Sequence, residues 1–166
     1  MILRRADPAD PAELAAVGAL TVTAYTADGY LRGAEDGYAE HLRAAADRAR
    51  DAELAVAVED DSGDLLGTVT YCRAGTPWAE VSRAGEAEFR MLAVAPAARG
   101  RGVGAALAAW CVQRARADGC TAVVLSTLPM MHAAHRLYGR MGFVRTPDRD
   151  WRPDPEVLLI TYALAL

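Results

Sequence analysis

Arg99-Gly100-Arg101-Gly102-Val103-Gly104-Ala105 joins a short apolar segment, Ala87 to Val94, which reads as a strand, to an amphipathic segment from Val103 that reads as a helix. Glycines at alternate positions let the main chain turn tightly with no Cβ in the way. The first turn of a helix leaves several N–H groups without intrahelical partners, and they converge where the helix dipole is positive. Two flanking guanidinium groups add positive potential. A loop of this composition is suited to an anion, and to a pyrophosphate better than a monoanion.

Three phosphate-binding patterns compete for this loop. A Walker-type loop requires a lysine after its last glycine, and all 18 basic residues of this chain are arginine. A dinucleotide fingerprint is closer, because Gly100, Gly102 and Ala105 satisfy a loose G-x-G-x-x-A. Its acidic residue should end the following strand, yet Asp118 ends the helix, before the strand expected at Thr121 to Leu125. The third pattern takes in the flanks: Ala87-Glu88-Phe89-Arg90-Met91-Leu92-Ala93-Val94-Ala95-Pro96 before the loop, and Ala134-x-x-Leu137-Tyr138-x-x-Met141-Gly142-Phe143 after it.

Loop and flanks together resemble the GNAT superfamily of N-acetyltransferases. In that family the motif Q/R-x-x-G-x-G/A holds the pyrophosphate of acetyl-CoA, and Arg99, Gly102 and Gly104 occupy its positions. The resemblance spans Ala87 to Val144 and fits more loosely at Ile2 to Ala6 and Leu65 to Val69. It implies an α/β (α+β) fold with a mixed, mostly antiparallel sheet of about six to seven strands. The sheet splays at a V-shaped cofactor cleft and is flanked by about four helices.

Bulk properties suit a small enzyme. The 166 residues, 52% of them hydrophobic, are read as one domain, 1–166, with a single core. Net charge is −4, which argues against a basic face for nucleic acid. Cys72, Cys111 and Cys120 form neither a C-x-x-C pair nor an even disulfide set, which points to a reducing cytosol. No stretch approaches the ~20 apolar residues of a membrane span.

The elements are expected in one alternating series. Ile2 to Ala6 reads as a strand, and Asp10-Pro11-Ala12-Glu13 opens a helix to about Ala24 with an N-cap, a proline and an acidic residue. A second helix is expected from Tyr38 to Arg50, presenting Tyr38, Leu42, Ala45 and Ala49 on one face. Strands at Glu53 to Glu59 and Leu65 to Cys72 flank a turn at Asp60 to Asp64. After the loop helix come a strand at Thr121 to Ser126, a helix at Met130 to Arg140, and strands at Gly142 to Thr146 and Val157 to Ala163.

Acetyl transfer needs a cofactor clamp, a base, an acid and an acceptor pocket. By resemblance the strand before the loop carries a bulge, and the backbone groups of Met91, Leu92 and Val94 meet the pantetheine arm. An amide near Leu92 would stabilise the oxyanion. Arg99, Gly100, Arg101, Gly102, Val103, Gly104 and Ala105 take the pyrophosphate. Glu88 occupies a position where the family often has an acidic residue and is the candidate base, acting through water. A surface carboxylate paired with Arg90 is the competing reading, and the two stay open. Glu86 is expected to lie before the strand. Tyr138 occupies the tyrosine of A-x-x-L-Y and is the candidate acid for the departing thiolate. Its ring also borders a core-facing helix side.

The resemblance implies an acceptor that is a primary amine of a small molecule or protein. Tyr25, Tyr30, Trp78 and Trp151 are candidate liners of its pocket, and Asp28, Glu35 and Asp36 could attract an ammonium group. His132 and His135 lack the pattern of a zinc site, so no metal is expected. A covalent cysteine mechanism is disfavoured, and the resemblance allows a homodimer. Met131 stands where the family commonly has an asparagine that bonds the cofactor arm. That departure keeps open an alternative, a catalytically weak acyl-CoA-binding or regulatory module.

Overall fold

The computed structural model of the protein describes residues 1–31 and 37–166. Strands β1 (Ile2–Arg5), β2 (Glu53–Val58), β3 (Leu65–Arg73), β4 (Glu86–Val94), β5 (Ala122–Thr127), β6 (Val144–Arg145), β7 (Trp151–Asp154) and β8 (Val157–Ala165) alternate with helices α1 (Pro11–Ala27), α2 (Gly37–Arg43), α3 (Ala45–Asp51), α4 (Val103–Ala117) and α5 (His132–Arg140). The strand order is β1-β2-β3-β4-β5-β8-β6, with β7 hydrogen-bonded to β8. Pairs β1–β2, β2–β3, β5–β8, β6–β8 and β7–β8 are antiparallel, while β4 and β5 run parallel. The sheet is mixed and open, as the resemblance implies, with one strand and one helix more than the upper expectation.

The chain groups into two compact units, residues Met1–Tyr71 with Met91–Trp110, and Cys72–Arg90 with Cys111–Leu166. In the first, Asp10 caps α1 by accepting from the N–H groups of Ala12 at 2.9 Å and Glu13 at 3.0 Å. Glu13 in turn accepts from the Asp7 N–H and pairs with Arg4. Leu14 and Val17 of α1 and Ala45 of α3 pack with Leu54, Val56 and Val58 of β2.

The helix expected from Tyr38 to Arg50 is instead two, broken at Ala44. A side chain takes over a carbonyl at the break. Arg48 is fully buried, and its guanidinium donates to the Leu42 carbonyl at 2.8 Å and to Thr70 Oγ1 at 3.1 Å. That carbonyl would accept from the N–H four residues on in an unbroken helix. Leu42 and Ala45 are buried as expected, but Tyr38 is 41% exposed.

Gly67 of β3 sets how closely α4 approaches the sheet. A Cβ at this position would lie 2.8 Å from the Ala93 carbonyl oxygen, 2.9 Å from Val103 Cγ1 and 3.1 Å from Leu107 Cδ1. Any side chain here would push away the first turn of α4, the turn that follows the glycine-rich loop.

In the second unit, β4 meets β5 at Glu86↔Ala122, Ala87↔Val123 and Glu88↔Val124. Glu86 is therefore the first residue of the strand, not a residue before it. Phe89, Tyr138 and Phe143 form an aromatic cluster with centroids 5.8 to 6.0 Å apart. The strand expected at Gly142 to Thr146 shortens to Val144 and Arg145. Strand β7 was not expected, and it carries Pro153 in Trp151-Arg152-Pro153-Asp154. Among the described strands β7 pairs with β8 alone, an edge position where a proline is tolerated.

The Gly67→Ala variant is expected to lose about 1–3 kcal/mol of stability, the usual range for overpacking. Urea unfolding measures it, and a variant as stable as the parent would show that α4 is not held at this contact.

Candidate active site

The glycine-rich loop belongs to the first unit. After β4 a short turn at Pro96–Ala98 redirects the chain, with the Ala95 N–H donating to the Leu66 carbonyl at 2.9 Å. Gly100 and Gly102 then take φ of +76° and +81°, a conformation that side chains with a Cβ rarely adopt. Open space lies where their Cβ atoms would be, with nothing within 4 Å. The first intrahelical bond of α4 runs from Ala106 N–H to the Gly102 carbonyl at 3.0 Å. The N–H groups of Val103, Gly104 and Ala105 lie ahead of it, at the positive end of the helix.

Both guanidinium groups of the loop already have carboxylate partners. Arg99 pairs with Asp28 at 3.1 Å and reaches the Ala24 carbonyl at 3.4 Å, while Arg101 pairs with Glu59 at 2.6 Å. The positive potential expected from them is thereby reduced, and the backbone donors carry more of the attraction for an anion. Asp28, a candidate to attract an ammonium group, is the partner of Arg99.

Met91 of β4 has φ +51°, alone among described non-glycine residues in being positive. A left-handed residue interrupts the extended strand where the resemblance implies a bulge, at a cost of about 1–3 kcal/mol. Met91 itself is buried, whereas Leu92 and Val94 are half-buried.

Near the end of α1, Tyr25 and Tyr30 meet edge to face at 5.9 Å, and Tyr25 lies 6.4 Å from Tyr38. Burial, together with the charge of Asp28, raises the Tyr30 phenol above its ordinary value. Glu35 and Asp36 lie outside the described residues.

Glu88, in the second unit, is fully buried, so it is not the surface carboxylate of the competing reading. Its Oε2 accepts from the backbone N–H groups of Glu80 at 2.9 Å, Val81 at 2.9 Å and Ser82 at 3.1 Å. Its Oε1 has no hydrogen bond and lies 3.8 Å from Arg90 Nε. Arg90 spans the same segment, donating to the Trp78 carbonyl at 2.9 Å and pairing with Glu80 at 2.7 Å. Burial raises the Glu80 carboxyl, Arg90 opposes that, and the charge of Glu88 adds to it, leaving a net rise. Sequence reading missed Glu80, which sits in an irregular segment with no periodicity to mark it.

Tyr138 is buried in contact with Phe89 and Phe143, and its ring centroid is 6.2 Å from that of Tyr162. The packing reading of its ring is thus realised, whatever its hydroxyl does. Met131 receives the Thr127 hydroxyl on Sδ at 3.1 Å. Trp78 is buried and Trp151 half-buried, its indole nitrogen enclosed without a hydrogen-bond partner.

His135 contacts the Leu128 carbonyl at 3.0 Å, and burial lowers its pKa. Among the described residues no group of three or more His, Cys, Asp or Glu side chains could hold a metal ion. All three cysteines are buried and free, and burial beside Glu88 pushes the Cys72 thiol up to about 12. A thiol held protonated is a poor nucleophile. No helix among the described residues is long and apolar enough to cross a membrane.

The model of the acetyltransferase (GNAT) family matches residues 21–143. The chain belongs to this family. Among solved structures, the acetyltransferase resembles a GNAT-family protein from Desulfovibrio desulfuricans at 24% identity, with 99% of this chain and 98% of that one covered and a TM-score of 0.73. The Salmonella typhimurium protein yncA, solved with its cofactor acetyl-CoA, is 22% identical, with 100% and 94% covered and a TM-score of 0.69. Ribosomal-protein-alanine N-acetyltransferase from Brucella melitensis is 20% identical, with both chains fully covered, 100% and 100%, and a TM-score of 0.68. Among curated proteins no match is found. These structural likenesses carry the fold, and the family match carries the acetyltransferase assignment.

Glu86 gives the acetyltransferase a pH-dependent brace. Burial works against its carboxylate, but hydrogen bonds from Arg149 and the Arg83 N–H outweigh burial and hold its pKa below the ordinary value. A lowered pKa means that the stabilisation is present above the unfolded-state pKa and is lost as pH falls through the folded-state one. Glu86→Gln should therefore cost about 1.5–3 kcal/mol near neutrality, the range for hydrogen bonds to a charged group. The cost should shrink toward zero in acid. Denaturant titrations at several pH values measure it, and a pH-independent difference would remove the charge from the explanation.

Proposed function

We propose that this chain transfers an acetyl group from acetyl-CoA to a primary amine of a small molecule or protein by direct attack in a ternary complex, residues 1–166 working as one domain. The observation that carries the reading is the loop from Arg99 to Ala105, with its left-handed glycines, open space above them and helix-start N–H groups, in a chain of the GNAT family. The residues fit the group: a pyrophosphate needs converging donors and no Cβ in its path. Val103, Gly104 and Ala105 donate backbone N–H groups to it, Gly100 and Gly102 give close approach, and Arg99 and Arg101 flank it. Main-chain groups at Met91, Leu92 and Val94 orient the pantetheine arm.

Bound acetyl-CoA supplies an activated thioester, and the protein moves two protons. An amine of lysine type, with a reference pKa of about 10.4, is protonated near neutrality and cannot attack until it loses a proton. The cluster anchored by Glu88 receives that proton through water. Tyr138 gives its phenolic proton to the departing thiolate. The buried free cysteines favour a reducing compartment such as the cytoplasm.

Carboxylate partners on both loop arginines, with Met131 in place of the usual asparagine, favour a second reading, a weakly catalytic acyl-CoA binder. Release of free thiol from acetyl-CoA across a panel of amines separates the two. Amine-dependent release supports the enzyme, and tight binding without release supports the binder.

Gly102→Val tests the loop. It forces a branched side chain onto φ +81° and into the open space, and acetyl-CoA affinity should fall by at least about tenfold, equivalent to ~1.4 kcal/mol. Calorimetry on the folded variant measures it, and unchanged affinity would remove the loop from the site.

Tyr138→Phe keeps the ring among Phe89, Phe143 and Tyr162 and deletes only the hydroxyl. Turnover should drop by a factor on the order of 10², the scale of a positioned general acid, while acetyl-CoA affinity changes much less. A thioester with a more acidic thiol should recover part of the loss. Full turnover in the variant, with release of coenzyme A shown to be fast, would leave Tyr138 a packing residue.

A further inference from the structure

Glu80, Arg90 and Glu88 form a cluster that runs from the surface inward, in which two carboxylates share one guanidinium, at 2.7 Å from Glu80 Oε2 and 3.8 Å from Glu88 Oε1. The two carboxylates are not equivalent. Glu88 Oε2 already accepts from three main-chain N–H groups. A proton placed on that oxygen would turn an acceptor into a donor facing donors. Its other oxygen lies beside a cation, and the whole side chain is 0% exposed, out of reach of an amine arriving from solvent. Glu80 offers the reverse: a side chain 30% exposed, held at one end by Arg90. The Glu80 N–H is itself one of the three donors to Glu88. The Glu88 carboxylate therefore fixes the main chain from which the Glu80 side chain projects.

We propose that Glu80 is the group that takes the proton from the acceptor amine, and that Glu88 is a positioning residue that holds the backbone of Glu80, Val81 and Ser82 in place. The proposal rests on the amine-acetylation reading for its substrate and on the cluster's geometry for its assignment. Burial and the negative charge of Glu88 both favour a neutral Glu80, while Arg90 opposes them. Cys72 of β3 also faces the cluster and is held as a neutral thiol. Arg149 adds positive charge on the side of Glu88. Such a carboxyl is better matched to proton transfer near neutrality than one at the ordinary carboxylate value.

The proton inventory closes. Glu80 accepts one proton from the ammonium through a water, leaving the nitrogen lone pair to form the C–N bond as the C–S bond breaks. Tyr138 gives its proton to the thiolate sulfur and is reprotonated, through solvent, by the second proton that the nitrogen sheds on becoming an amide. Glu80 then releases its proton to solvent. Ammonium and thioester have become amide, thiol and one free proton.

Two measurements test the assignment. In protein carrying ¹³C-labelled glutamate, side-chain carboxyl resonances assigned with Glu80→Gln and Glu88→Gln are titrated by NMR, without substrate. Glu80 should titrate above the ordinary carboxylate range, and Glu88→Gln should move it downward by removing a neighbouring negative charge. Amide exchange at Glu80, Val81 and Ser82 should accelerate in Glu88→Gln and stay unchanged in Glu80→Gln. In kcat/KM against pH with an active amine, Glu80→Gln should lose the acidic limb with a fall on the order of 10²-fold. Glu88→Gln should keep the limb at lower pH. An acidic limb that survives in Glu80→Gln, or NMR placing the Glu88 pKa above that of Glu80, overturns the proposal. If no amine in the panel is acetylated, the functional reading fails, and the carboxyl titration still decides between the two residues.

Discussion

A strand whose every N–H and C=O is paired with its neighbours runs straight on as sheet, and β4 departs from that pattern within its nine residues. Its first half is ordinary sheet, in parallel register with β5 at Glu86, Ala87 and Glu88. At Met91 the backbone turns left-handed. That is an unfavourable conformation for a long side chain, and it persists because the surroundings enforce it: Phe89 and Ala93 on either side are buried. Past the kink the chain continues through Pro96–Ala98 into the glycine loop and α4. The loop's open backbone donors depend on α4 standing where it does, and α4 stands there because Gly67 has no Cβ.

Arginine performs the bracing in this lysine-free chain. Arg99 ties the loop to Asp28 near the end of α1, and Arg101 ties it to Glu59 after β2. In the other unit Arg90 and Arg149 hold the segment before β4 through Trp78 and Val81 carbonyls, and Arg145 fastens Asp150. A planar guanidinium can hold a carboxylate and a carbonyl at once, where a lysine presents a single point charge. The exposed pairs contribute little individually, about 0–1 kcal/mol. Those of Arg90 and Arg149, with side chains only 9% exposed, define where their loops lie.

The parts of the site legible in the sequence are those carried by local backbone chemistry. Glycines at 100 and 102 announce left-handed backbone, Val103 opens a helix, and Asp10-Pro11 caps another. Each depends on residues a few positions apart, so the strand, loop and helix around Arg99 to Ala105 could be read without coordinates. Tyr138 was legible as a position in a motif, while its environment of Phe89, Phe143 and Tyr162 was not.

By itself the sequence determined most of the order of elements and the glycine-rich turn, because periodicity, capping and turn chemistry are short-range, and its motifs carried the resemblance to acetyltransferases. Tertiary structure alone decided where the charges went. It spent both loop arginines on carboxylates, split a helix at Ala44 around the buried Arg48, brought Glu86 into the strand, and laid three backbone N–H groups on Glu88 while leaving Glu80 the more accessible carboxylate. A charged side chain is long, and its burial and partners are set by whichever segments fold against it, over separations of 63 residues for Arg149 and Glu86 and 75 for Arg99 and the Ala24 carbonyl. No local pattern records that distance.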